Sequence, residues 1–269
     1  MYPLIYSFII SLTNSTFTRL DSSVFIGLQN YKELLSDDVF INSVKLTLYF
    51  VAVSIFLELI IGMVMALVLN IGLKGSGLAR AFLVLPWALP GTVAAGIWRF
   101  MFQSDYGFIN GFLRLLGYDS GIIWLGKPAF AINSVIFAEV WRMAPFFALL
   151  LLSGLSTIPD DLYEAGRIDG ASEWQMFWRI TVPLLKPIIG IILVIRTIFT
   201  FQNLEMVYVM TKGGPGISTY LTPYYMYRQG FVNMKIGEAS AVSYYLVVLI
   251  GIFCIFYVYF LIRRSNENV

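Results

Sequence analysis

Five long apolar runs, residues 47–69, 80–101, 129–153, 184–207 and 239–262, leave this chain few folds to choose from. The hydrocarbon core of a bilayer is about 30 Å thick and takes about 20 apolar residues of helix at 1.5 Å each. Each run meets that length, so each can cross a membrane. The composition agrees: 58% of residues are apolar and 13% charged, with a mean hydropathy of +0.77. Soluble domains run roughly 45–50% apolar and about 25% charged.

Residues 1–11 are apolar too, but as a helix they reach only about 17 Å. No basic stretch precedes them and no small-x-small cleavage site follows, which argues against a secretory signal. They are expected to be the C-terminal half of a first span whose start lies upstream of Met1. The expected fold is an all-α integral membrane protein of six transmembrane helices, the first truncated. A single membrane domain over 1–269 accounts for the chain, because no soluble domain, internal repeat or low-complexity tract interrupts it.

Several function classes drop out on residue types alone. With 18 basic and 16 acidic residues the net charge is +2, which suggests neither a nucleic-acid partner nor a polyanionic substrate. The chain has no histidine, the commonest general base and transition-metal ligand. A lone cysteine, Cys254, rules out a disulfide framework, a cysteine-rich zinc site and an iron–sulfur centre, and reads as apolar filler. Asn14-Ser15-Thr16 matches a glycosylation triplet, a pattern that arises often by chance.

Six spans place both termini on one side. Lys74 and Arg80, with Arg263 and Arg264 in the tail, favour the cytoplasm for that side, and Asp21, Glu33, Asp37 and Asp38 suit the outside. Lys212, Arg228 and Lys235 in the last external connection point the other way, so charge counting supports cytoplasmic termini only weakly.

The stretch 158–183 differs from everything around it. Pro159 suits the first turn of a helix, and Asp160 and Asp161 suit its positive end. Asp169-Gly170 signals a turn, and Ser172 with Gln175 three residues on matches a capping box opening a second helix, expected to stop at Pro183. Trp174, Phe177 and Trp178 recur at the spacing of one helical face. So charged a segment does not belong inside a bilayer. An ordinary interfacial connector is the plain expectation; a docking surface for a protein partner is the sharper one.

The order Glu164-Ala165-Gly166, three residues, Gly170, nine residues, Ile180-x-Val182-Pro183 resembles the cytoplasmic EAA loop of binding-protein-dependent ABC importer permeases, EAA-x3-G-x9-I-x-LP. Both spacings match, with Gly166 in place of Ala and Val182 in place of Leu. Asp169-Gly170-Ala171 resembles the Asp-Gly-Ala of the sugar-importing branch. Gly27-Leu-Gln-Asn-Tyr31, Leu85-Pro-Trp-Ala-Leu-Pro90, Glu139-Val-Trp141 and Thr211-Lys-Gly-Gly-Pro-Gly216 are similar, in order, to maltose, lactose and glycerol-phosphate permease subunits.

The resemblance implies a type I importer transmembrane domain in the cell membrane, with an ATPase-coupling loop at about 156–183. Residues Glu164, Ala165, Gly166, Asp169, Gly170, Ala171 and Pro183 stand at the matching loop positions. It further implies two copies of a cytoplasmic ATPase, a second permease chain, an external binding protein, and a mono- to oligosaccharide substrate. ATP and magnesium would sit on the ATPase chains. The glycine-rich stretch 72–77 lacks the closing Gly-Lys-Ser/Thr of a phosphate-binding loop, so no nucleotide site and no enzyme activity is expected here.

Ionisable groups within spans are costly and tend to face the bundle interior, which singles out Glu58, Glu139, Arg142, Arg196 and Glu205. Glu139 and Arg142 are three apart and can simply pair; lining a substrate pathway is the sharper expectation. Gln202, Asn203, Glu205 and Tyr208 combine hydrogen-bonding groups with an aromatic ring suited to sugars, although bonds between spans use the same residues. Pro86 and Pro90 are expected to break a straight span over 80–101. An ion-driven transporter would use such buried acids as ion sites, but it leaves the loop unexplained. A scaffold predicts no ATP-coupled flux, and no catalytic constellation supports a membrane enzyme.

Overall fold

A computed structural model describes residues 2–18, 23–72, 76–118 and 121–259. Lys74, Arg263, Arg264, Asp21 and Met1, on which the sidedness and the upstream start were argued, lie outside the described residues. The elements in chain order are α1 (Tyr2–Ser11), α2 (Gln29–Ser36), α3 (Asp38–Asn70), α4 (Ser76–Ala88), α5 (Gly91–Met101), α6 (Phe108–Leu115) and α7 (Pro128–Leu155). There follow α8 (Asp160–Ile168), α9 (Glu173–Met176), α10 (Val182–Phe201), α11 (Glu205–Met210), α12 (Thr222–Tyr227) and α13 (Ile236–Tyr257). Wider π turns occupy Phe177–Thr181 and Arg228–Val232. Among the described residues the only β pairing is a single bridge between Thr13 and Phe25.

The apolar runs become helices, with bounds set by polar chemistry that hydropathy does not register. Helix α3 begins at Asp38, well ahead of the apolar run, because the Asp37 carboxylate accepts the Val39 N–H at 2.8 Å and so caps its first turn. Among the described residues four stretches are long and apolar enough to cross a bilayer: Asp38–Asn70, Pro128–Leu155, Glu173–Met210 and Ile236–Tyr257. A fifth crossing is possible only as a broken pair of helices, Arg80–Ala88 and Gly91–Met101. Pro86 stays inside α4, and the break expected from Pro86 and Pro90 together falls at Leu89–Pro90. Pro90 has no N–H to continue the ladder and disfavours helical backbone at the residue before it.

The run 184–207 can cross as expected, within the stretch Glu173–Met210, but not as unbroken helix: α10 stops at Phe201, and the chain turns at Gln202 before α11. There the Asn203 carboxamide oxygen accepts the Met206 N–H at 3.3 Å, giving the backbone a partner other than the helix ladder. Nor does the second loop helix stop at Pro183. It continues through the π turn at Phe177–Thr181 directly into α10. The Val182 N–H reaches back five residues to the Phe177 carbonyl, so the turn widens just where proline's missing N–H and its ring would otherwise disturb the preceding turn.

Residues group into two compact units interleaved along the chain. One comprises Met1–Ala52, Gly91–Ala138 and Thr200–Gly251. Its core gathers Leu34, Phe40, Tyr225, Ala241 and Val242. The Tyr225 hydroxyl lies 2.7 Å from Asp37 and 2.9 Å from Glu238, and burial, with the bond to Asp37, pushes its pKa well above that of an ordinary phenol. The other unit comprises Val53–Pro90, Glu139–Phe199 and Ile252–Val269, and it holds the loop. Within it, a Cβ at Gly62 would fall 2.5 Å from the Phe147 Cβ, and one at Gly154 would collide with Leu185 and Ile188. Those two glycines let α3 and α10 pack closely against α7.

Candidate functional site

The loop between α7 and α10 is built by local turn chemistry. Helix α8 starts after extended Pro159, with Asp160 and Asp161 in its first turn and Arg167 in its last, as a helix dipole favours. Its end is closed by two backbone bonds, Gly170 N–H to the Arg167 carbonyl at 3.1 Å and Ala171 N–H to the Gly166 carbonyl at 2.9 Å. That closure needs left-handed backbone at the residue past the cap, and Gly170 has φ +76°. The glycine of the loop pattern is therefore a conformational requirement. Two residues on, the Ser172 hydroxyl accepts the Gln175 N–H at 3.3 Å while the Gln175 side chain accepts the Ser172 N–H at 2.8 Å, completing the expected capping box.

One departure from the loop pattern acquires a reason. A Cβ at Gly166 would lie 3.1 Å from the Met176 sulfur and 3.5 Å from Ile180. Met176 is buried against that position, so glycine in α8 gives room to a large side chain in α9. The Tyr163 hydroxyl bonds the Thr181 hydroxyl at 2.9 Å, a second tie from α8 to the π turn that nothing in the sequence spacing signalled.

Around these ties the loop is open. Helix α8 buries no residue, Ile168 is 86% exposed, and Glu164, Ala165, Asp169 and Gly170 are all exposed. Trp174, Phe177 and Trp178 cluster with ring centroids 5.1–5.9 Å apart, two of them exposed indoles. They line a groove of about 850 Å³ together with Ile60, Val64 and Leu67 of α3 and Tyr163 and Glu164 of α8. Arg167 and Glu173 stand 3.6 Å apart on the exposed side, a pair worth little.

The polar residues of the spans separate into two groups. In the loop-bearing unit the Arg196 guanidinium grips Glu58 through two bonds, Nε at 3.0 Å and Nη2 at 2.8 Å, and its Nη2 also reaches Glu139 at 3.1 Å. Arg142 approaches Glu139 from one turn along α7, at 3.0 Å. Glu58, Glu139 and Arg196 are each at most 1% exposed, whereas Arg142 keeps 18% of its side chain open. The expected Glu139–Arg142 pair is thus part of a larger cluster. Composition already drew attention to Glu58 and Arg196, but their partnership spans 138 residues of chain and no local spacing announces it.

In the other unit, Asn203 is buried and caps the turn after α10, while Gln202, Glu205 and Tyr208 are exposed. The Glu205 carboxylate occupies the space a side chain at Gly91 would need, at the first residue of α5. Tyr208 packs edge-on against Tyr227 at 5.3 Å. Among the described residues no cluster of three or more acids, histidines or cysteines could hold a metal ion.

Residues 58–268 match the family described as binding-protein-dependent transport system inner membrane component. The chain is 41% identical over 256 residues to the trehalose/maltose transport system permease protein MalF of Thermococcus litoralis, covering 95% of this chain and 85% of that one. It is 35% identical over 244 residues to the sulfoquinovosyl glycerol transport system permease protein SmoG of Agrobacterium fabrum, covering 90% and 78%. In fold it is similar to a chain in the crystal structure of a bacterial ABC transporter involved in the import of the acidic polysaccharide alginate. That match has a TM-score of 0.83 at 23% identity over 99% of this chain and 90% of the other.

Proposed function

The chain belongs to the family of binding-protein-dependent transport system inner membrane components, and on that premise we propose that it is one permease half of an ATP-driven sugar importer. The observation that carries the proposal is the loop. It is an exposed two-helix element, closed by Gly170, re-opened by Ser172 and Gln175, and joined without interruption to α10.

Glu164, Ala165, Gly166, Asp169, Gly170 and Ala171 present or shape the surface on which a cytoplasmic ATPase docks. Pro183, at the head of α10, fixes where the loop passes into the span. ATP and magnesium are held by two ATPase copies. A second, different permease and an external binding protein complete the assembly, and both termini face the cytoplasm. The chain itself carries no catalysis: it changes the exposure of a pathway when the ATPase pair closes, because a bistable element moves only by the differential binding of its two states.

A saccharide is the favoured cargo, since named relatives carry trehalose or maltose and sulfoquinovosyl glycerol. Gln202, Asn203, Glu205 and Tyr208 are assigned to the pathway at the far end of α10 from the loop. Glu139 and Arg142 contribute through the partly open guanidinium. Of the three acids an ion-gradient mechanism could use, Glu58 and Glu139 are committed to arginine and Glu205 is exposed; what that mechanism leaves without a role is the loop.

Affinity purification of the chain from native membranes tests the proposal. Recovery of an ATPase and a second permease, with hydrolysis stimulated by a sugar-loaded binding protein, is the expected result. A lone chain indifferent to ATP would refute it.

A further inference from the structure

We propose that Glu58 and Arg196, joined to Glu139, are positioning residues that lock three spans into one lever, so that a push on the coupling loop arrives at the far ends of α3, α7 and α10 without slippage. The proposal rests on the transport function above.

The three helices carry their charges at one level. Arg196 lies fourteen residues beyond Val182 on α10, Glu139 sixteen before Leu155 on α7, and Glu58 twelve before Asn70 on α3. At 1.5 Å per residue the cluster therefore sits about 18–24 Å along each helix from its loop-side end. Glu139 is also the first residue that α7 contributes to the loop-bearing unit, and Arg196 is three residues from the last that α10 contributes. Nearer the loop the same three helices meet through Gly62 and Gly154. The unit is thus packed by glycines close to the loop and clamped by ions at its far end.

Static stability is a poor reason for such a clamp. Burying an ion pair removes both partners from water, and well-packed apolar residues of similar volume often hold a structure as well or better. Within a bilayer, however, an apolar helix face gains little by leaving lipid for another apolar face, so apolar packing alone sets no strong preference for one register. A forked guanidinium is directional. Its Nε and Nη2 must meet both oxygens of Glu58 while Nη2 also faces Glu139, and sliding α10 by one turn would lose all three bonds. The loop runs into α10 with no helix end before Arg196, although Pro187 removes one ladder bond on the way, so a displacement at the loop is delivered to that fork along one helix.

The test uses the assembled complex in vesicles and reads substrate imported per ATP hydrolysed. The double variant Glu58→Met/Arg196→Met removes one acid and one base and leaves Glu139 with Arg142, so no buried charge is orphaned. It is expected to assemble and hydrolyse ATP while importing about tenfold less substrate per ATP, within the usual range of energetic coupling between sites. Arg196→Lys, which keeps the charge and loses the fork, should lower the ratio by a smaller factor.

A double variant that melts earlier but keeps the wild-type ratio would overturn the lever and leave a merely structural pair. Should the double variant fail to assemble, Arg196→Lys decides alone, a reduced ratio supporting the lever and an unchanged one overturning it. Gly170→Asp serves as the control for the underlying function. If it abolishes import while the charge variants do not, only the lever is lost; if it too imports normally, the loop reading fails first.

Discussion

The loop around Gly170 and the ion cluster around Arg196 belong to the same compact unit, yet they are held by opposite means. Helix α8 buries none of its residues, and the loop keeps its shape mainly through bonds between neighbours in sequence, Gly170 to Arg167, Ala171 to Gly166 and Ser172 to Gln175, with Tyr163 to Thr181 as a longer tie. Glu58, Glu139 and Arg196 are buried and joined across 57 and 138 residues of chain. The loop can thus change partner without disturbing its own fold, whereas the cluster cannot lose Arg196 without stranding Glu58. A surface meant to be gripped and released is naturally built the first way, and a part meant to hold register the second.

This contrast ranks the effects of substitution. The largest are expected at Gly170 and Glu164. Gly170→Asp forces a side chain into left-handed backbone and adds a charge at the docking surface, and Glu164→Lys reverses one. Both should abolish import while the chain still inserts in the membrane, as read by uptake and membrane fractionation; wild-type import by either would break the contrast. Next comes Arg196→Leu alone, which strands Glu58 in a buried site and should destabilise the chain by about 3–5 kcal/mol, seen as early unfolding in detergent. A variant as stable as wild type would show that the stranded Glu58 is either hydrated or neutralised by a proton.

Smaller effects sharpen the picture of the loop. Tyr163→Phe removes the bond to the buried Thr181 hydroxyl and should cost about 1 kcal/mol of local stability, measured by hydrogen exchange over α8. Ser172→Ala removes one half of the capping box and should cost about 0.5–1 kcal/mol at the start of α9. Gly166→Ala should be smallest, because a helix-propensity gain of about 1 kcal/mol is offset by the tight approach to Met176.

The same contrast governs what the sequence could disclose. The turn at Asp169-Gly170, the capping box and the acidic first turn of α8 were all legible, since each depends on residues within a few positions. The apolar runs announced helices because lipid leaves the backbone no other partner. Pro86 and Pro90 together announced a broken span, and the break falls at Pro90 while Pro86 stays inside α4.

What escaped was set by tertiary contact. The α9–α10 continuity was missed because Pro183 reads as a stop unless a π turn accommodates it. The interruption after Phe201 was missed because Gln202 and Asn203 sit in a stretch whose average hydropathy hides two polar residues. The fit of Gly166 to Met176 and the grip of Arg196 on Glu58 depend on which helices lie side by side, which periodicity does not encode.

The most direct measurement is sugar uptake into sealed vesicles carrying the purified assembly, with ATP supplied to the ATPase side and a sugar-loaded binding protein to the other. Uptake that requires both, and persists when ionophores dissipate every ion gradient, is the result expected of an exposed loop driven by a partner ATPase. Uptake that follows a proton or sodium gradient and ignores ATP would contradict it.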